Sequence, residues 1–152
     1  MFDKTIENVM NELIQLDIDA TYAYSEALKV IKEKDIHDKL QSFKQDHHRH
    51  IKDLAALLKD IGGEPIKYSQ DIKGYVIEGI TFLRSITGTE GALKAMMTNE
   101  KITNKKYAEA LEYKGLTQEV RSLISTNFHD EKAHLAYIHQ KVTEYENETI
   151  SA

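Results

Sequence analysis

Apolar residues along the chain recur at spacings of three and four, the period of a helix with one buried face. Ile6, Met10, Leu13, Leu16, Ala20, Tyr24, Ala27 and Ile31 form a first stripe, which predicts a helix from about residue 3 to about residue 33. Lys34-Asp35 reads as a short turn, with Asp35 as the N-cap of the next helix. Ile36, Leu40, Phe43, Ile51, Leu54, Leu58 and Ile61 form a second stripe, stopped by Gly62-Gly63 and by Pro65. The pattern then weakens until about Gly88, with one short amphipathic piece through Ile72, Tyr75, Val76, Phe82, Leu83 and Ile86. Thr89 and Glu90 open a third helix, striped by Leu93, Met96, Met97, Tyr107, Ala110 and Leu111 and closed at Gly115. Thr117 is placed to cap a fourth, striped by Val120, Leu123, Ile124, Phe128, Leu135, Ile138 and Val142. Little chain is left after about residue 146.

Two tight turns and one long link predict an all-α protein: an antiparallel four-helix bundle, residues 1–152 forming a single domain. The long link is a crossover over about residues 62–88, between the second and third helices, and carries a short helix.

Polar residues interrupt the stripes at matching places. In D-H-H-R-H (46–50), His47 and His50 share the face of Phe43 and Leu54, whereas His48 and Arg49 point elsewhere. In F-H-D-E-K-A-H (128–134), Glu131 and His134 lie at i and i+3 between Phe128 and Leu135. Glu100 lies on the third stripe and Asp17 on the first, with Asp19 the rival first-helix candidate, read as a solvated surface acid. Asp17 and His47 are 30 positions apart, and Glu100 and Glu131 are 31. Each first acid is followed seven residues later by a tyrosine, Tyr24 or Tyr107, and each second pair is preceded by an aspartate, Asp46 or Asp130. The two halves therefore read as diverged copies of one helical hairpin, offset by 83 or 84 residues.

Buried unpaired carboxylates cost several kcal/mol each, and a metal ion neutralises them. The chain has no cysteine, so any such ion must be held by nitrogen and oxygen, a donor set that suits iron, manganese or zinc. Absence of cysteine also removes thiol nucleophiles and disulfides, and fits a cytoplasmic protein. Net charge is −5 with Lys and Arg dispersed among the acids, which argues against nucleic acid or an anionic membrane surface as partner. No apolar run is long enough to span a membrane, and the acidic start does not read as a signal peptide.

At these residues the sequence resembles the ferritin-like superfamily over nearly its whole length. D-E-K-A-H (130–134) resembles the fourth-helix motif of bacterioferritins and rubrerythrins, and D-x-x-A-x-x-x-Y (17–24) their first-helix motif. The layout, with L-I at 13–14, G-G-E-P at 62–65 and Y-A-E-A-L at 107–111, is most similar to small bacterial ferritin-like proteins of unassigned function. The resemblance implies two metal ions, iron first, ligated by Asp17, His47, His50, Glu100, Glu131 and His134. It further implies that Asp46 and Asp130 orient the histidines, and that Tyr24 and Tyr107 hydrogen-bond the ligand carboxylates. Two departures matter. Asp17 stands for the family's glutamate, and His47 stands for the glutamate of E-x-x-H, which predicts a less anionic, asymmetric or mononuclear site on the His47 side.

The cysteine-free chain cannot carry a rubredoxin module, and a homodimer is expected rather than a 24-subunit cage. Three functions follow: Fe(II) oxidation with oxygen or peroxide for iron handling or stress protection, metal binding without turnover, or a metal-free scaffold acting through protein contacts.

Overall fold

The three-and-four spacing becomes a set of narrow buried seams. The computed structural model describes residues 4–67 and 88–151, which form α1 (Lys4–Val30), α2 (Lys34–Asp60), α3 (Thr89–Glu112) and α4 (Gln118–Ser151), with no strand among them. On α2 the buried residues are Ile36, Leu40, Phe43, His47, His50, Leu54, Leu57 and Leu58. On α4 they are Val120, Ile124, Asn127, Glu131, His134, Ile138 and Val142. Steps alternating between four and three are those of helices packed at shallow angles in a bundle. Leu123, Phe128 and Leu135 flank the α4 seam and are only half-buried, because Asn127, Glu131 and His134 occupy it.

Contacts across the bundle give its topology. α1 packs on α2 and on α3, and α4 packs on α3 and on α2. Tyr24 of α1 reaches Glu100 of α3, while Asp17, two turns earlier, meets Tyr107 further along α3. As one position rises the other falls, so α1 and α3 are antiparallel. The same reasoning holds for α2 and α4, where His50 pairs with Asp130 and Asp46 pairs with His134. α2 and α3 must then run parallel, so α2 ends at the opposite end of the bundle from where α3 begins. The short helix expected within that crossover lies outside the described residues.

Local chemistry sets the ends. Gly62 has φ 96°, and Gly63 N donates to Leu58 O (2.8 Å) while Gly62 N donates to Lys59 O (3.0 Å). This is the paired bonding that closes a helix through a left-handed residue. Asn11 then fixes the departing chain, its amide donating to Glu64 O (3.0 Å) and its oxygen accepting from Ile66 N (2.9 Å). At the far turn, Thr117 Oγ1 accepts from Val120 N (3.3 Å), and Arg121 donates to Leu111 O (2.7 Å) and Tyr113 O (2.8 Å). α2 starts at Lys34, with Glu33 at the cap position, so Asp35 lies inside the first turn and is not the cap. The acid there favours the helix N-terminus through its dipole instead. α1 stops at Val30, earlier than its apolar stripe suggests, and α4 runs on to Ser151.

The apolar core falls into two clusters. One gathers Ala27, Ile31, Leu40, Leu93, Met96 and Ile138, and the other Met10, Leu13, Leu54, Leu58, Val120 and Ile124. Between them, at the middle of every helix, lies the polar layer. No helix among the described residues is long and apolar enough to cross a membrane.

Leu54 is fully buried one turn from His50, so Leu54→Ala is expected to lower the unfolding free energy by about 2–5 kcal/mol. Gly62→Ala places a side chain in the left-handed region and is expected to cost about 1–2 kcal/mol, with Gly63→Ala near neutral. Urea titration reads all three, and equal effects at the two glycines would count against the helix-ending geometry.

Candidate metal centre

Asp17 and His47 sit at the midpoints of α1 and α2, and Glu100, Glu131 and His134 at the same level of α3 and α4. Together with His50 these six side chains are at most 1% exposed. All six are brought together. Their donor atoms form two groups, Asp17–His47–His50–Glu131 and His47–Glu100–Glu131–His134, each with its atoms within 4.8 Å of one another.

In the first group His50 Nδ1 lies 3.1 Å from Asp17 Oδ1 and 3.3 Å from Glu131 Oε1, and His47 Nδ1 lies 3.4 Å from Glu131 Oε1. His47 Nδ1 is also 2.6 Å from Asp17 Oδ1. In the second, His47 Nε2 and His134 Nδ1 lie 3.3 Å and 3.4 Å from Glu100 Oε1, and His134 Nδ1 lies 3.5 Å from Glu131 Oε2. Donors bonded to one ion at about 2.0–2.2 Å in a tetrahedral shell stand about 3.3–3.6 Å apart. Glu131 Oε1 and His134 Nδ1 are buried with no hydrogen-bond partner, although both face other donors. Orphaned, converging donors of nitrogen and oxygen fit a metal ion better than they fit one another.

The supporting contacts cross from one half of the chain to the other. Tyr24 donates to Glu100 Oε1, and Tyr107 donates to Asp17 Oδ2 at 2.5 Å. His134 Nε2 donates to Asp46 Oδ2 (2.8 Å), and His50 Nε2 donates to Asp130 Oδ2 (2.9 Å). Each aspartate therefore holds a histidine of the facing helix, fixing that ring's tautomer and turning Nδ1 inward. Phe43 stacks on the His134 ring with centroids 4.2 Å apart, closing that side with carbon.

Charge balance explains the protonation. Burial pushes Asp17 up, but hydrogen bonds from His47 and His50 outweigh it and hold the carboxyl at about 2. Burial also pushes the histidines down, yet facing carboxylates raise His47 to about 9, His50 to about 10 and His134 to about 12. Glu100 is held well below its usual range, against burial, by His134 and His47. Glu131 goes the other way, raised by burial and by Glu100. Burial and the neighbouring carboxylates push both tyrosines well up, so they remain donors.

Three residues at the site were not legible as such. Thr103 Oγ1 lies 2.9 Å from Glu100 Oε2 and 3.2 Å from Glu131 Oε2, between the two carboxylates. Asn104 donates to the backbone carbonyls of Glu100 (2.7 Å) and Glu131 (3.0 Å), tying α3 to α4. The available signal was their position, one turn beyond Glu100. Arg49, read as pointing elsewhere, bonds Asp130 and lies 3.6 Å from Asp46, bridging the two partly exposed aspartates. Asp19 is not a solvated acid: it is buried, accepts from Gln15 (2.9 Å) and stands outside both donor groups. Each group holds two imidazoles and two carboxylates, with His47 and Glu131 common to both.

Solved structures share this fold at low sequence identity. A ferritin-like, diiron-carboxylate protein from Bacillus anthracis is 17% identical with a TM-score of 0.72, over 91% of this chain and 96% of its own. The bacterioferritin-related protein from Bacteroides fragilis, a dodecameric thioferritin, is 13% identical with a TM-score of 0.74, over 97% and 90%. A conserved hypothetical protein from Mycobacterium tuberculosis is 10% identical with a TM-score of 0.76, over 92% of each chain. No curated protein matches the sequence. The fold is therefore that of the ferritin-like bundles. The family described as "Domain of unknown function (DUF2383)" matches residues 5–113, and the chain belongs to that family.

Proposed function

We propose that the protein binds two metal ions, iron first, through Asp17, His47, His50, Glu100, Glu131 and His134. We propose further that it uses them in Fe(II) oxidation with oxygen or peroxide, for iron handling or protection against oxidants. The observation that carries the reading is the convergence of six fully buried ionisable side chains from four helices into two four-donor groups. Iron held there supplies one-electron steps between its ferrous and ferric states, with oxygen or peroxide as the acceptor.

The residues around the site do the rest. Tyr107 holds Asp17 by Oδ2, leaving Oδ1 to turn inward, while Tyr24 and Thr103 hold Glu100 by one oxygen each, Oε1 being also the oxygen that faces His47 and His134. Asp46 and Asp130 keep the outer ring protons of His134 and His50 in place, so their inner nitrogens carry the lone pairs. The apolar clusters on either side keep water from the carboxylates.

A second reading is metal binding without turnover, which full burial favours because it restricts the access of any oxidant to donors that are at most 1% exposed. Manganese and zinc suit the same donors.

Protein prepared without chelator is expected to carry about two equivalents of metal, lost in the double variant Glu131→Ala/His134→Ala. Elemental analysis beside a circular dichroism spectrum checks this, and a folded wild type that stays metal-free after anaerobic Fe(II) loading would sink the reading. Oxygen consumption on adding Fe(II) separates turnover from mere holding. Without metal, histidines raised from 6.5 to about 9 and about 10 contribute stability that is complete below pH 6.5 and lost as pH climbs through those values. Chelator-treated protein is thus expected to melt at lower temperature at pH 9 than at pH 6.5. Metal-loaded protein is expected to reverse that slope, because protons then compete with the ions. Thermal melts at the two pH values read the sign.

A further inference from the structure

His47 occupies a position that neither His50 nor His134 shares. It belongs to both donor groups, and it faces them through different ring nitrogens. Its Nδ1 faces Asp17 Oδ1 (2.6 Å) and Glu131 Oε1 (3.4 Å), whereas its Nε2 faces Glu100 Oε1 (3.3 Å). His50 and His134 differ, because each spends its outer nitrogen on an aspartate and offers only Nδ1 to the centre. Both edges of the His47 ring therefore point at would-be ligands, and neither points at an outer hydrogen-bond acceptor. Glu131 is divided in the same way, Oε1 toward the first group and Oε2 toward the second.

We infer that His47 is a bridging ligand, its imidazole ring standing between two metal ions with one nitrogen on each. This rests on the proposed metal-binding role and deepens it. Each ring nitrogen releases its proton to solvent as an ion binds there, so the bridge between two ions is an imidazolate, and its negative charge replaces that of the carboxylate absent at this position. Bonds of about 2.0–2.1 Å on either edge of a five-membered ring hold the ions about 6 Å apart. Ions in two-metal sites lie about 3.5–4 Å apart. The separation is thus set by a rigid ring, with Glu131 spanning the same gap through its two oxygens.

The test is the distance between ions. Wild-type protein is loaded anaerobically with Co(II), dialysed, analysed for cobalt, and crystallised for anomalous diffraction at the cobalt edge. Two equivalents and two anomalous peaks about 6 Å apart, with the His47 ring between them, are the expected result. His47→Glu, loaded in the same way, is expected to keep two ions and bring them to about 3.5–4 Å. Two ions closer than about 4 Å in the wild type would overturn the bridge and leave metal binding intact. One ion bound through a single His47 nitrogen would overturn it as well. A wild type that binds no cobalt and no Fe(II) removes the metal-binding reading on which the bridge depends. The wild-type separation is decisive alone, so the inference does not depend on the variant folding.

Discussion

The bundle is organised by the pairing of buried imidazoles with buried carboxylates at its mid-height. An ion stranded in a protein interior costs several kcal/mol, and the layer avoids that cost only if opposite charges meet. His47 lies between Asp17 and Glu100, and His134 between Asp46 and Glu100. A slide of one helix by a single turn, about 5.4 Å, would part these pairs. The apolar clusters above and below impose no such demand, since aliphatic surfaces of suitable volume repack at modest cost. Register is therefore held by the polar layer, while burial of the two clusters supplies the driving force for closing the bundle.

That layer has an approximate two-fold symmetry, which the contacts make explicit. Tyr24 reaches Glu100 and Tyr107 reaches Asp17, each tyrosine holding the acid that belongs to the other half. Asp46 holds His134 and Asp130 holds His50, again crosswise. The repeat spacing of 83 or 84 residues in the sequence is thus matched by a repeat in space. The symmetry fails at one pair, where His47 in the first half corresponds to Glu131 in the second.

Much of this was legible because a helix makes its pattern locally. A charged residue on an apolar stripe is conspicuous, and Asp17, His47, His50, Glu100, Glu131 and His134 were visible by their faces alone. Which histidine each aspartate holds was not visible, since neighbours in sequence leave a helix in different directions and the partner lies on another helix. Arg49 leaves α2 off its buried face, as its position predicts, but its long side chain bends back over the aspartates. Thr103 and Asn104 are neutral, and neutral polar residues on a helix attract no notice until the carboxylates beside them are placed. Asp19 was misread because α1 is covered on more than one side, with Ile14, Ile18 and Asp19 all buried beside the main stripe. One-face periodicity has no means of registering a second covered face.

The division of donors between hairpins has a consequence for assembly. Asp17, His47 and His50 come from α1 and α2, and Glu100, Glu131 and His134 from α3 and α4, so neither hairpin contains a complete group of four. The protein behaves as a tethered heterodimer, and its interface is the centre. An ion that needs donors from both sides binds the docked pair in preference to either hairpin alone, and its affinity is spent on holding the two together. Occupancy of the centre would then report that the two halves of the chain have found each other.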